Sequence, residues 1–312
     1  MSDTWAVVVP SVRRNSLERF VDAWAPQLED KHLIVVHDHH TVPGWAVNID
    51  AEHHAWDTIG LEHAARRSDM IRSWGIYRAW EMGAAYTLTL DDDVRPCGDL
   101  FSHYETVFHH GAPLSPYLNV GALTTYGKPL RGFPYQERLS ATVGVQYGGW
   151  HGVLDYDAST QLSGVRDYET FAPVVLPVPH HAPVTGCIMN CAWQTGFAPI
   201  MWQLPLIDGK YNRFGDIWSG LFQKKVLDYL GHVMVVNGKA SVRHQRASDP
   251  VKNAFREAPG IPLNENLWYG LEVGGSSMID AYREVTDSAA GLFEDWYSIP
   301  FLEARDEWLA LF

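Results

Sequence analysis

Tyr86-Thr87-Leu88-Thr89-Leu90-Asp91-Asp92-Asp93 decides the fold. A short apolar and β-branched run leads straight into three carboxylates. The run reads as a buried strand, and the acids then mark its carboxyl end, where open α/β sheets bind ligands. If the extended geometry continues, Asp91 and Asp93 project on one side and Asp92 on the other. Carboxylates at i and i+2 can grip one hard divalent cation. Mg²⁺ or Mn²⁺ prefers carboxylate and water, and leaves positions open for substrate phosphates. An acidic turn capping the next helix is the competing reading. Three adjacent strand-end carboxylates repel one another without a cation, which favours the metal.

Upstream, Ser68 to Gly83 reads as a helix, with Ile71, Trp74, Tyr77 and Trp80 on one face and Gly83 as its stop. Trp5–Pro10 and His32–His37 read as buried strands. Between them Leu17, Phe20, Val21 and Trp24 recur at helical spacing, and Asn15 to Glu18 has the spacing of a capping box. Strand, helix, strand implies a parallel βαβ unit. Downstream, residues from about Ala112 to Pro183 are rich in Gly, Pro and Tyr, and read as short strands and long loops. Phe214–Leu230 reads as a helix and Val233–Val236 as a strand. Residues from about Leu263 to Phe312 read as helical, anchored by Trp268, Trp296 and Trp308.

Composition bounds the class. The chain has 312 residues, 46% of them hydrophobic and 20% charged, an ordinary globular balance that supports a sizeable core. The net charge of −13 argues against a nucleic-acid-binding face. Its cations are lopsided, 17 Arg against 7 Lys, and Arg is the better bidentate phosphate ligand. No run of about 18 apolar residues suggests a membrane span, and the start lacks the basic region of a signal peptide. Cys97, Cys187 and Cys191 form no CxxC pair; reduced thiols in a cytoplasm are the expectation.

Six segments in order resemble the reversibly glycosylated polypeptides, the UDP-arabinopyranose mutases first known from plants. The acidic triplet is one. Arg131-Gly132-Phe133-Pro134-Tyr135, with Arg138 following, resembles the family's RGYPF segment. Asp155-Tyr156-Asp157-Ala158-Ser159-Thr160-Gln161-Leu162 resembles DYDAPTQL, and Cys187-Ile188-Met189-Asn190 resembles CGMN. Arg213-Phe214-Gly215-Asp216-Ile217-Trp218 resembles RYDDMW. His244-Gln245-Arg246-Ala247-Ser248-Asp249-Pro250 resembles HSKASNP. The likeness runs from about residue 5 to about residue 255.

The resemblance implies a GT-A fold, an α/β Rossmann-like nucleotide-diphospho-sugar domain, here residues 1–260. Residues 261–312 would be a helical C-terminal extension packed on it. It implies a Mn²⁺ or Mg²⁺ cofactor and a mutase interconverting the pyranose and furanose forms of a nucleotide sugar. Two departures matter. The family's paired acid is Gly215-Asp216 here, so one carboxylate is missing. Its QDGDP is His37-Asp38-His39-His40-Thr41, near the nucleotide, so the base need not be uracil; a GDP-fucose mutase is the first comparison alongside a UDP-arabinose type.

Site residues follow from chemistry and from the matched positions together. Asp91 and Asp93 would ligate the metal, with His244 at the place where GT-A enzymes recruit a His; among 15 His a structural role competes. Arg131 matches the arginine that carries the sugar in the family. A protonated guanidinium is a poor nucleophile unless a carboxylate, Asp157 or Asp216, takes its proton. Alternatively Arg131 stabilises the leaving diphosphate by bidentate hydrogen bonds. Arg138 and Arg72 are further diphosphate candidates. Ser11, Arg13 and Asp38 follow parallel strands where a nucleotide would lie, with Asp92 beside them. Asn190 bonds a sugar hydroxyl or is a satisfied buried amide, and Trp150 packs on the sugar or in the core. The paired histidines, among them His53-His54, His109-His110 and His180-His181, lack HExxH spacing and read mostly as loop residues. Two other functions compete with the mutase: a glycosyltransferase using an external or self acceptor, and a non-catalytic nucleotide-sugar-binding subunit, which the missing acid at Gly215 keeps open. A homo-oligomer is compatible with all three.

Overall fold

Trp5–Val9 are all buried, and the Val-rich run forms β1 (Trp5–Ser11) at the centre of the sheet. The computed structural model of the chain describes residues 4–56, 68–164, 170–207, 210–211, 213–245 and 248–312. Arg246 and Ala247 of the sixth matching segment lie outside them. β1 is followed by α1 (Arg14–Leu28), β2 (His32–His37) and β3 (Glu52–Ala55). β1 pairs parallel with β2, and β2 with β3, so the expected βαβ unit is present. The capping box is not. Arg13, not Asn15, is the N-cap of α1, and Glu18 accepts from Arg14 Nε at 2.7 Å. The start of α1 is set by the site, because Arg13 reaches across to Asp92.

Helix α2 (Arg72–Glu81) lies close on the sheet: a Cβ at Gly75 would stand 2.4 Å from Val8 Cγ1, so only glycine fits. Gly83, at φ 75°, ends the segment as expected. β4 (Tyr86–Leu90) pairs parallel with β1 and is fully buried. Extended geometry stops at Leu90. Asp91–Asp93 form a turn, with Val94 N–H donating to Asp91 O at 3.3 Å, before β5 (Val94–Pro96) and α3 (Leu100–His110).

The stretch after α3 departs from short strands and long loops. Between β6 (Ala112–Pro113) and β7 (Ser140–Ala141), which pair with each other, it is indeed loop and 3₁₀ turn. Then β8 (Val143–Gly152) runs ten residues through the middle of the sheet. α4 (Ala158–Leu162), β9 (Val175–Pro177), β10 (Asn190–Gln194) and α5 (Gly215–Tyr229) follow. The expected strand at Val233 is much longer, β11 (Val233–His244), with a register shift between Asn237 and Ser241. Asn237 Oδ1 accepts from the N–H groups of Lys239 and Ala240 at 3.2 Å and so sustains the bulge.

The main sheet runs β3-β2-β1-β4-β10-β8-β11-β5, with β9 on β11. β10 is antiparallel to both its neighbours. A parallel half, β3-β2-β1-β4, is joined to a mixed half. α1 and α3 cover one face, where Phe20, Trp24, Phe101 and Tyr104 meet Val7 and Leu88. α2 and α5 cover the other, and α6 (Pro250–Glu257), α7 (Ile261–Gly270), α8 (Met278–Ala290) and α9 (Asp295–Leu309) follow. Tyr282, Phe301 and Trp308 of the last two helices share one core with Trp202, Trp218 and Phe222. No helix among the described residues is long and apolar enough to cross a membrane.

Candidate active site

β1 and β4 end side by side, which brings the β1–α1 turn against the acidic turn. Ser11 Oγ donates to Asp92 Oδ2 at 2.7 Å, and Arg13 Nη2 donates to Asp92 Oδ1 at 2.8 Å and Asp93 Oδ2 at 3.5 Å. Asp92 therefore spends both oxygens holding the loop that would face a nucleotide. Asp38 N–H donates to Ser11 O at 2.9 Å, which sets Asp38 beside it. A cavity of about 370 Å³ opens over these residues. Ser11, Arg13, Asp38, Arg72 and all three acids line it, so most of the expected cluster is assembled here.

The three acids face different partners although the strand has ended. Asp91 is held by Nη2 of Arg72, which is buried, and Asp69 Oδ1 stands 3.8 Å from the same nitrogen. Burial raises the Asp91 pKa to about 6; Arg72 opposes the rise and the neighbouring Asp93 charge adds to it. Asp93 faces His244, with Oδ1 3.8 Å from Nε2. His244 does not line the cavity; it stands behind Asp93. Its Nδ1 lies 2.7 Å from Val153 O. A carbonyl only accepts, so Nδ1 carries a proton, and Nε2 is the nitrogen turned towards Asp93. This is how a metal-binding imidazole is oriented. Two donors on one first-row ion at ~2.1 Å each stand roughly 3–4 Å apart, so the Asp93–His244 spacing fits a shared cation. Carboxylates with one imidazole suit Mn²⁺ well.

The deeper wall holds groups that sequence reading passed over. Asp69, Asp155, Cys187 and Arg213 line the cavity with Asp216, as do the buried Tyr211 and Tyr297. Asp216 has its pKa raised to about 7, by burial first and by the charges of Asp69 and Asp155 next. Cys187 is pushed well above its ordinary value by burial and by Asp216, so it is a neutral thiol. Arg213 donates from Nη2 to Asp155 Oδ1 at 2.7 Å and from Nε to Glu257 Oε1 at 2.9 Å. Its φ of 71° is uncommon for a non-glycine residue and marks a constrained position. Asp155 and Arg213 each open a matched segment, and that placement was the available signal. At Gly215, a Cβ would stand 3.8 Å from Asp69 Oδ2, so Asp69 already fills the neighbourhood of the missing acid.

Five of the expected residues do not line the cavity. Of its two readings Asn190 takes the satisfied buried amide: it is fully buried in the sheet, its Nδ2 donates to Gly149 O and Ala240 O, and its Oδ1 accepts from Tyr104 Oη at 2.8 Å. Asp157 is the N-cap of α4. It accepts from Thr160 N–H, Thr160 Oγ1 and Ser159 Oγ, and these bonds hold its pKa down at about 2, too low for a useful base. Arg131 is exposed on the loop between β6 and β7, and does not line the cavity. Arg138 also stays on that loop, donating to Phe133 O at 3.0 Å and stacking over Tyr135. Trp150 packs on Phe171 rather than in the cavity.

The histidines are less loop-bound than expected. His37 is a buried β2 residue whose Nε2 lies 3.0 Å from His53 Nδ1, and its pKa is lowered to about 4 by burial and then by His53. His54 and His32 share the Glu52 carboxylate, and His109 and His110 close α3. His180 and His181 do lie in a turn. With Asp228 they are the one trio of ligating side chains, among the described residues, whose donor atoms fall within 4.8 Å of one another. Buried Lys224 already occupies both Asp228 oxygens there, so the trio is neutralised without a metal.

The family model for reversibly glycosylated polypeptide matches residues 1–272. "Probable UDP-arabinopyranose mutase 2" of Solanum tuberosum is 27% identical over 285 residues, 86% of this chain and 76% of that one. "UDP-arabinopyranose mutase 1" of Arabidopsis thaliana is 25% identical over 289 residues, 86% of this chain and 78% of that one. Among solved structures, glucosyl-3-phosphoglycerate synthase from Mycobacterium tuberculosis, in complex with Mn²⁺, UDP and phosphoglyceric acid, aligns with a TM-score of 0.49 at 15% identity, covering 88% of this chain and 81% of that one. The chain belongs to the reversibly glycosylated polypeptide family.

Proposed function

We propose that this chain is a divalent-metal-dependent mutase that interconverts the pyranose and furanose forms of a nucleoside-diphosphate sugar. One observation carries the reading beyond nucleotide-sugar binding: Asp216, a carboxyl with a pKa of about 7, faces the same cavity as the acidic triplet and its arginines. Ring contraction needs such a group. The C4 hydroxyl loses a proton as it attacks the anomeric carbon, and the former ring oxygen gains one as it leaves. A carboxyl near pH 7 can take the first proton and supply the second. The anomeric bond to the diphosphate breaks before this exchange and re-forms after it.

A metal held by Asp93 and His244, joined by Asp91 once it is released from Arg72, would neutralise charge developing on the leaving diphosphate. Arg72 and Arg13 sit where they can bind its oxygens, and Ser11, Asp38 and Asp92 shape the nucleoside end. Tyr297, from residues 261–312, lines the cavity, which supports reading that extension as part of the working enzyme with the 1–260 domain. Arg131 remains the sugar-side arginine of this reading, and must reach a cavity from its exposed loop. The relatives' names point to UDP-arabinose, and His37-Asp38-His39-His40 keeps GDP-fucose beside it. Three free cysteines suit a reducing compartment, and we place the protein in the cytoplasm.

Incubation with each nucleotide sugar and Mn²⁺, followed by separation of the products, tests the reading. An isomerised nucleotide sugar is expected. Free nucleotide appearing only with an acceptor would make the protein a transferase, and binding without turnover a non-catalytic subunit.

A further inference from the structure

We propose that Asp69 stands in space for the acid missing at position 215, and that it is the residue that positions Asp216 for proton transfer. The segment Arg213-Phe214-Gly215-Asp216 has glycine before its one aspartate. Nothing local demands that glycine. Its backbone is outside the left-handed region, and a Cβ added there would meet Leu204 O at 3.6 Å and Asp69 Oδ2 at 3.8 Å, both ordinary contacts. What the position does have is a carboxylate already beside it. Asp69 opens the 3₁₀ turn Asp69–Ile71 that leads into α2, whereas Gly215 opens α5, so the two come together only through packing. Both line the cavity with Asp216.

The surroundings of the two acids differ. Asp69 Oδ1 lies 3.8 Å from Nη2 of buried Arg72, and the Asp69 side chain is 39% exposed. Asp216 forms no ion pair among the described residues. Its oxygens accept from the N–H groups of Ile217 at 3.0 Å and Ile188 at 3.5 Å. Asp69 and Arg72 face it from the α2 side, Asp155 from the β8–α4 connection, Tyr147 from β8 and Cys187 from the chain before β10. Among these charges Asp69 does most to raise the Asp216 pKa, ahead of Asp155, and Arg72 opposes them more weakly. Asp155 is already matched by Arg213 at 2.7 Å, so Asp69 is the neighbour whose removal changes the balance most. Two carboxyls in one place share a proton. The cation beside Asp69 leaves that proton on Asp216.

Arg72 also ties this pair to the acidic triplet, because the nitrogen that holds Asp91 is the one that faces Asp69. A buried guanidinium needs a carboxylate partner. When a cation draws Asp91 away, Asp69 is the partner that remains. Asp69 acts through Asp216 and Arg72 and touches no reacting atom; its part in the reaction rests on the function proposed above.

Moving the carboxylate tests the idea. Asp69→Asn removes the charge and keeps the shape. Asp69→Asn/Gly215→Asp returns a carboxylate from the neighbouring position, where the first turn of α5 favours an acid. The first measurement needs no turnover: each background is compared with its own Asp216→Asn derivative by thermal melting in metal-free buffer from pH 4 to pH 8. Asp69→Asn should at least halve the melting difference that Asp216→Asn makes at pH 8, and the double variant should restore it. A purely structural Asp69 would lower both melting points together and leave the difference unchanged, which overturns the proposal. In the isomerase assay, Asp69→Asn should lower kcat at pH 7 by at least ~10-fold, the lower end of what general acid–base groups contribute, with KM nearly unchanged and the pH optimum moved down. The double variant should recover most of that loss. A double variant no better than Asp69→Asn in both measurements also overturns the proposal, since position 215 would then not be interchangeable with Asp69. A wild type without isomerase activity overturns the proposed function, and the melting differences still decide whether Asp69 pairs with Asp216.

Discussion

His244 turns its Nε2 towards Asp93 Oδ1 at 3.8 Å while its Nδ1 is fixed on the carbonyl of Val153 at 2.7 Å. The separation is too long for a hydrogen bond. The ring is therefore oriented by the β8–α4 connection rather than by Asp93, and Nε2 is left facing the carboxylate without bonding to it.

That arrangement predicts the effect of removing either end. His244→Ala should weaken Mn²⁺ binding, read by calorimetry in the presence of nucleoside diphosphate, by at least ~10-fold, the scale on which even outer partners of metal sites act. Asp93→Ala should abolish metal-dependent diphosphate binding. Unchanged Mn²⁺ affinity in His244→Ala would remove the histidine from the site, and full activity in excess chelator would remove the metal.

Asp216 predicts a pH dependence of opposite sign for stability and for turnover. Its folded pKa of about 7 exceeds the ~3.9 of an unfolded aspartate, so between those values the folded state binds more protons. The group is neutral and costs nothing below about pH 4, and it costs progressively more as pH rises towards 7. Asp216→Asn should therefore melt a few degrees higher than wild type at pH 8 in metal-free buffer, with the gap closing by pH 4. The same variant should lose most of its isomerase turnover. A melting difference that is flat with pH would show that Asp216 is not the buried acid described here.

Arg131 makes no hydrogen bond or ion pair among the described residues, so its removal should be silent for the fold. Arg131→Lys should keep the melting temperature, since exposed substitutions stay within about ±0.5 kcal/mol, and should keep Mn²⁺ affinity. Turnover should fall by orders of magnitude, because lysine lacks the planar fork that grips two diphosphate oxygens. Intact-protein mass spectrometry with substrate separates the two roles: a sugar-sized adduct on Arg131, reversed by excess nucleoside diphosphate, means a nucleophile. A dead Arg131→Lys enzyme without any adduct in wild type leaves only the electrostatic role, and near-normal turnover in Arg131→Lys removes both.

Asn190 and Asp157 should behave as framework. Asn190→Ala deletes three buried hydrogen bonds and should cost ~2–4 kcal/mol in urea unfolding. Asp157→Ala removes a helix cap and should cost ~1 kcal/mol. Neither should change KM in the folded fraction. A large KM increase without lost stability would return either residue to the substrate.

Much of the fold was legible in the sequence because its signals are local. The buried strands at Trp5, His32 and Tyr86 are continuous apolar runs, and the α2 segment carries plain helical periodicity and a glycine stop. The triplet Asp91-Asp92-Asp93 was legible as the end of a buried strand, and it lines the cavity, though as a turn rather than in extended geometry. What each acid faces was not. Asp92 binds back to Ser11 and Arg13, Asp91 to Arg72, and only Asp93 meets His244, because the chain turns at Leu90 and the partners come from three other elements. The same limit explains the exchange of Asp157 for Asp155 and the loss of Asn190. Spacing along a chain says which residues are near in sequence, whereas a raised pKa and a satisfied buried amide are properties of through-space neighbours. Residue type set the available chemistry; the packing of α2, β8, α5 and β11 around one cavity decided which groups can perform it together.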